Sequence, residues 1–277
     1  MTISHVEAGG ASIPSLGLGT WTARGEECAR AVAFALRNGY RHIDTAVVYA
    51  NEEAVGEGMR ASGVPRAEIF LTTKVGRDDI DEGRLERSAE ASVMRLGTDH
   101  VDLLLIHWPN PAIPLRRSMA ALANAKRRGL TRHIGVSNFT VPLLEEAVSL
   151  STEPISANQC EYHPRLDQSR LIAACRKHDV AFTSYCPLGR GGDLLAERKV
   201  TAIAERHRKT PAQILLRWQA QQAGVVAIPK SANERRIAEN IAIFDFALSE
   251  EDMADLFALA RPNGRLVSPG WAPAWDG

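Results

Sequence analysis

The chain has 277 residues, 45% of them hydrophobic, enough for a sizeable core and an ordinary length for one α/β barrel domain. Its 33 basic and 33 acidic residues cancel, which excludes the basic surface expected of a nucleic-acid or anionic-membrane binder. No apolar run reaches the roughly 20 residues that span a bilayer, and Met1–Ser15 has no cationic segment followed by an apolar one, so a cytoplasmic protein without a secretory signal is expected.

Gly9-Gly10 marks an opening hairpin, and Leu16–Gly19 reads as a first strand. A helix is predicted over about Glu26–Asn38, stopped by Gly39. Apolar runs then end at Asp44 and Lys74, and a third covers Val101–Ile106 just before His107. Further strands are expected at His133–Val136, Ile155–Gln159, Val180–Ser184 and Val225–Ile228. Between them apolar residues recur at helical spacing: Leu85, Ala89, Val93 and Leu96; Leu115, Met119 and Leu122; Ile237, Ile241 and Phe244. Eight strands alternating with helices predict a parallel sheet with right-handed crossovers, closed into a (β/α)8 barrel. An open doubly wound sheet competes less well, because no GxGxxG turn opens a first helix. No linker or repeat divides the chain, so residues 1–277 are expected to form one domain.

In such a barrel the carboxyl ends of the strands converge on one mouth. Asp44, Tyr49, Lys74 and His107 would then share a pocket. A free tyrosine titrates near about 10, and a neighbouring ammonium lowers that value by stabilising the phenolate. Lys74 could be that ammonium, with Asp44 holding it in place and charged. His107 could hydrogen-bond a carbonyl oxygen while Tyr49 protonates the alkoxide formed by attack at carbon. Taken singly, each has a plainer reading: Asp44 as a turn or cap, Tyr49 as packing, Lys74 as solvent-facing and His107 as a core histidine. Jointly, four such residues at the ends of three successive strands favour the shared site.

Cys28, Cys160, Cys175 and Cys186 form no CxxC pair, so neither a disulfide framework nor a structural zinc site is expected. Cys28 and Cys175 fall in helical patterns as buried thiols, and Cys186 is a candidate for lining the pocket. His42, His107 and His163 have no HxH or HExxH spacing, and no metal is expected.

The stretches Gly17-Leu18-Gly19-Thr20-Trp21, Gly39–Ala46, Tyr49 with Asn51–Gly56, Thr73-Lys74-Val75, His107-Trp108-Pro109, Gly135–Phe139 and Ile228-Pro229-Lys230-Ser231 resemble the aldo-keto reductases. Arg265–Pro269 and the short tail are similar to small bacterial members that reduce 2,5-diketo-D-gluconate or methylglyoxal. The resemblance implies an NADP(H)-dependent reductase of aldehydes and ketones, with Asp44, Tyr49, Lys74 and His107 as the catalytic tetrad. It implies that Ser137, Asn138 and Gln159 hold the nicotinamide carboxamide, that Tyr185 stacks on its ring, and that the loop from Leu188 to Leu194 folds over the pyrophosphate. Thr20, Trp21, Pro187 and Leu188 would also line the cofactor, and Glu239 and Asn240 would meet the adenine. Trp21, Tyr49, His107 and Trp108 would face the substrate.

The charge pattern at the far end agrees with a 2′-phosphate: Lys230, Ser231 and Arg236 lie just after the last strand and at the start of a helix, where barrels commonly hold phosphate. An acid on the ribose would suit NAD instead. Gly76 departs from the resemblance, since many relatives carry tryptophan there, and this implies a pocket missing one aromatic wall. The short tail Trp271–Trp275 argues against a steroid substrate. A small-molecule carbonyl and a monomer are the expected partner and state. Two alternatives remain. One is a Schiff-base aldolase using Lys74, disfavoured by the adjacent Asp44. The other is an NADP-binding regulatory subunit of the same fold, which would carry a long amino-terminal extension.

Overall fold

The computed structural model describes residues 3–276. Met1, Thr2 and Gly277, included in the expected single domain and, for the first two, in the segment read for a signal, lie outside the described residues.

The hairpin is β1 (His5–Ala8) with β2 (Ala11–Pro14), turning at Gly9 and Gly10, whose φ values of 53° and 78° favour glycine. Eight parallel strands follow: β3 (Leu18–Gly19), β4 (His42–Asp44), β5 (Phe70–Val75), β6 (Val101–Ile106), β7 (Thr131–Ser137), β8 (Ile155–Glu161), β9 (Ala181–Tyr185) and β10 (Val225–Ala227), each hydrogen-bonded to the next. The ring closes where β10 meets the segment entering β3, through bridges Leu16–Ala227 and Gly19–Lys230. The amides of Gly17 and Gly19 donate to Ala227 and Pro229 there. A Cβ on Gly19 would sit 2.9 Å from the Ile228 carbonyl oxygen, so this closure needs a bare backbone. The (β/α)8 barrel with an amino-terminal hairpin is thus the fold of the chain.

The helices are α1 (Gly25–Arg37), α2 (Glu52–Ser62), α3 (Arg84–Leu96), α4 (Leu115–Arg127), α5 (Val141–Leu150), α6 (Ser169–Lys177), α7 (Arg198–His207), α8 (Pro211–Ala220), α9 (Glu234–Ile241) and α10 (Glu250–Phe257). Strand and helix bounds differ from expectation by a few residues. The larger differences have local causes. The third apolar residue read into the last predicted helix, Phe244, lies beyond α9, which ends at Ile241 and is capped by Ala242 with ψ of 54°. Two helices, α7 and α8, fill the crossover between β9 and β10, the second started by a Thr210–Gln213 capping box with Pro211 in its first turn.

Strand periodicity sorts the core into two layers. On β6, Leu104 and Ile106 pack outward with Met119 and Leu122 of α4, whereas Leu103 and Leu105 point inward with Ala157, Ala181 and Val226. The hairpin's Ala8, Ala11 and Ile13 join that inner cluster and plug the barrel floor. Lys74 pairs in register with Leu105, so it stands on the same inner face. That placement buries a lysine completely inside the barrel.

Among the described residues no helix is long and apolar enough to cross a membrane. No three His, Cys, Asp or Glu side chains gather there as a metal site either.

Candidate active site

Asp44 is the last residue of β4, Lys74 the penultimate residue of β5, and His107 follows β6 directly. Tyr49 does not end a strand. It closes a 3-10 turn, Val47–Tyr49, after which Ala50 turns left-handed and Asn51 ties the segment down. The Asn51 amide donates to the carbonyls of Thr20 and Ala23 and accepts from the Thr45 hydroxyl. Glu52 then accepts from Thr73 at 2.6 Å and from Arg95 at 2.5 and 2.8 Å. The turn that carries Tyr49 is therefore fixed against β5.

The four side chains meet. Lys74 is fully buried, and its ammonium donates to Asp44 at 2.6 Å, to the Thr45 carbonyl at 2.8 Å and to the Tyr49 oxygen at 3.5 Å. All three of its protons are thereby placed. The Tyr49 oxygen is an acceptor toward Lys74, so its own O–H is left to point into the cavity. Asp44's second oxygen accepts from Gln159 at 2.7 Å. The Tyr49 and His107 rings meet edge to face with centroids 5.7 Å apart.

The electrostatics correct one expectation. Lys74 does not bring the Tyr49 phenol below its ordinary range. Burial pushes it well above, and the Asp44 carboxylate adds to the rise. The physical reason is that Lys74's charge is largely matched by Asp44, while removal from water disfavours the phenolate. Burial likewise lowers the Lys74 ammonium, opposed by Asp44 and then by Glu52. His107 is brought down to about 3, chiefly by burial and then by Lys74, so the imidazole is neutral at physiological pH. Tyr49 and His107 are both uncharged at physiological pH, so each can offer a hydrogen bond from a neutral group.

A cleft of about 900 Å³ runs outward from these residues. It is lined at its inner end by Asp44, Tyr49, His107, Asn138, Gln159 and Tyr185, and at its outer end by Lys230, Ser231, Arg236, Glu239 and Asn240. Thr20, Trp21, Trp108, Pro187 and Leu188 also line it, as does Cys186. Ser137 does not reach the lining: it is buried, and its hydroxyl donates to the Gln159 carbonyl at 2.7 Å. Asn138, held at φ 63°, donates from its amide to the His107 carbonyl and accepts from the Tyr185 hydroxyl at 2.8 Å. One hydrogen-bonded chain thus joins the end of β6, the end of β7 and Tyr185. Cys28 and Cys175 are buried in α1 and α6.

Several lining residues were not singled out from the sequence: Val48, Arg190, Thr210, Arg235 and Val267. Arg190 lies with its guanidinium 5.2 Å above the Trp21 ring, reaching across the cleft from the loop after β9. Val267 comes from the tail, where Glu161 accepts from the backbone amides of Leu266 and Val267 at 2.6 and 2.7 Å. Trp271 and Trp275 of the same tail meet Trp108 edge to face, with centroids 5.0 and 6.0 Å away. Gly76 is buried and does not line the cleft, and a Cβ there would touch only Val48, at 3.5 Å.

The cleft suits an elongated dinucleotide: an aromatic ring and amides at the reactive end, cations and a helix start at the other. Residues 15–261 match the aldo/keto reductase family. The chain is 41% identical to methylglyoxal reductase DkgB of Salmonella typhi over 96% of this chain and 100% of that protein. It is 45% identical to an aldo-keto reductase of Mycolicibacterium smegmatis, over 94% of each. The crystal structure of a Bombyx mori aldo-keto reductase in complex with NADP superposes with a TM-score of 0.90 at 35% identity, covering 98% of this chain and 96% of that one. On its sequence, its barrel and its cleft, the chain belongs to the aldo/keto reductase family.

Proposed function

We propose that Tyr49 is the proton donor of this enzyme, with Lys74 and Asp44 setting its environment and His107 aiming the substrate oxygen. The chain is an NADP(H)-dependent oxidoreductase that reduces small carbonyl compounds to alcohols. NADPH, when bound, supplies the hydride. The protein's own residues do the rest. Tyr49 and neutral His107 donate hydrogen bonds to the carbonyl oxygen, which polarises it and holds its carbon in line. As negative charge grows on that oxygen, Tyr49 releases its proton to it, and the nearby Lys74 ammonium stabilises the phenolate left behind. The raised pKa of Tyr49 keeps the proton in place until that moment. The observation that carries the assignment is the Lys74–Tyr49 contact, which leaves the phenol proton facing the cleft.

Asn138 and Gln159 are proposed to meet the nicotinamide carboxamide, with Ser137 supporting Gln159 from behind, and Tyr185 to stack on the ring. Lys230, Ser231 and Arg236 are proposed to hold the 2′-phosphate, and Glu239 and Asn240 the adenine. The substrate would sit among Trp21, Val48, Tyr49, His107 and Trp108. The walls of the cleft suit small oxygenated carbonyls, keto sugars and methylglyoxal, the last being the compound named for the Salmonella typhi relative. A monomeric cytoplasmic enzyme forming one domain is part of the proposal.

Replacing Tyr49 with Phe tests it. NADPH oxidation with methylglyoxal should fall at least about a hundredfold, the usual worth of a general acid, while NADPH binding stays within a few-fold. Loss of NADPH binding, or activity close to wild type, would remove Tyr49 from the donor role. Borohydride trapping with a keto substrate should give no adduct at Lys74, whose three hydrogen bonds hold it as an ammonium.

A further inference from the structure

The outer end of the cleft holds one residue that the charge pattern of a phosphate site does not call for. A recess there is lined by Lys230, Ser231, Ala232, Asn233 and Arg236, and by Glu27 from the first turn of α1. Arg235 lines the adjoining part of the cleft. Glu27, after β3, and Lys230, after β10, approach the recess from the two sides of the barrel's closure. Glu26, the neighbour of Glu27, is 3.4 Å from Arg30 on its own helix, whereas among the described residues no ion pair of 4.0 Å or less engages Glu27.

A carboxylate at that place has two opposite effects. It repels a phosphate monoester, which is close to a dianion at neutral pH. It also accepts a hydrogen bond from a ribose hydroxyl, the means by which other nucleotide sites prefer the cofactor that lacks the phosphate. The cations and the acid therefore pull selectivity in opposing directions within one recess.

Resting on the assignment of this recess to the phosphate end of the cofactor, we infer that Glu27 is a cofactor-specificity residue that holds the preference for NADPH below what Lys230 and Arg236 would give and lets the enzyme use NADH as well. Acids in a helix's first turn also favour the helix dipole. That role would be seen in the melting temperature and would leave the choice of cofactor alone.

The test is binding, measured by calorimetry on wild type and Glu27→Gln with NADPH, NADH and adenosine 2′-monophosphate, alongside thermal melts. In the variant, NADPH and adenosine 2′-monophosphate should bind about three- to tenfold more tightly, the scale of one exposed charge. NADH should bind no more tightly, and the gain should shrink at 1 M salt, where the screening length falls to about 3 Å. An unchanged NADPH-to-NADH ratio, with or without a lower melting temperature, overturns the inference. The underlying site assignment is checked separately with Lys230→Ala/Arg236→Ala. If that variant binds adenosine 2′-monophosphate as tightly as wild type, the phosphate end lies elsewhere and the inference falls with it. If it binds weakly while Glu27→Gln leaves the ratio unmoved, only the role of Glu27 is lost.

Discussion

Lys74 shows why a buried charge can be tolerated at a reaction centre. Its ammonium has a carboxylate, a carbonyl and a phenol oxygen around it, so desolvation is offset by direct partners. Lys74→Met would leave Asp44 buried without its counter-ion, and urea unfolding should show a loss of about 3 kcal/mol together with loss of reduction. Full stability would mean that Asp44 is solvated or protonated in the folded protein. The same residues set a pH profile. His107 titrates near 3, so kcat for reduction should stay flat between pH 5 and 8. A limb near about 6.5, the free imidazole value, would mean that His107 is charged in the working enzyme. On the alkaline side activity should fall below the usual lysine range, because burial lowers Lys74. Asp44, Lys74 and His107 were legible in the sequence because strand ends of a barrel converge, which is a rule of topology. Arg190 and Val267 were not, since one hangs from a loop of glycines and the other reaches the mouth only because Glu161 captures two backbone amides.

Among the elements, α1, α2 and α3 pack closely because α2 carries glycines on its contact faces. A Cβ on Gly58 would stand 2.5 Å from the Ala29 carbonyl oxygen, and one on Gly56 would collide with the Leu96 backbone. Gly58→Ala should therefore destabilise by about 1–3 kcal/mol despite the better helix propensity of alanine. An equal or higher melting temperature would show that the helices can slide apart. At the start of α10, Asp252 completes a capping box with Ser249, bonds His207 at 2.7 Å and pairs with Arg206. Burial raises its pKa, but the hydrogen bonds from His207, Arg206 and Ser249 more than offset this and bring it down to about 2. A depressed carboxylate stabilises the fold above its unfolded value near 3.9, and that contribution disappears as pH falls through the folded value. Acid titration of wild type against Asp252→Asn should show the wild-type advantage, about 2 kcal/mol at neutral pH, closing between pH 4 and 2. Helices such as α3 and α4 are readable from apolar spacing, and α1 from the glycine that stops it. The end of the last predicted helix was misplaced because Phe244 continues the apolar period after the backbone has left it at Ala242.

For the molecule as a whole, the alternation of strands and helices already contained the barrel, since right-handed crossovers leave eight parallel units little else to do. What that alternation could not contain was how the ring shuts. If the protein is one domain and a monomer, sedimentation equilibrium should give the mass of a single chain, and denaturant unfolding should be one transition by fluorescence and circular dichroism alike. A second transition would divide it.

The join between first and last strands rests on two isolated bridges rather than a ladder, and it adjoins both walls of the cleft: Gly19, Thr20 and Trp21 on one side, Ile228, Pro229 and Lys230 on the other. A ligand lying in the cleft would grip both lips of the narrowest joint in the sheet. The bound dinucleotide would then act as a clasp, and local opening should be slowed most where the barrel's own hydrogen bonding is thinnest. Amide exchange at Gly17 and Gly19 should slow on adding NADPH by more than it does in the middle of β6, marking a protein whose first and last strands are held together in part by what it binds.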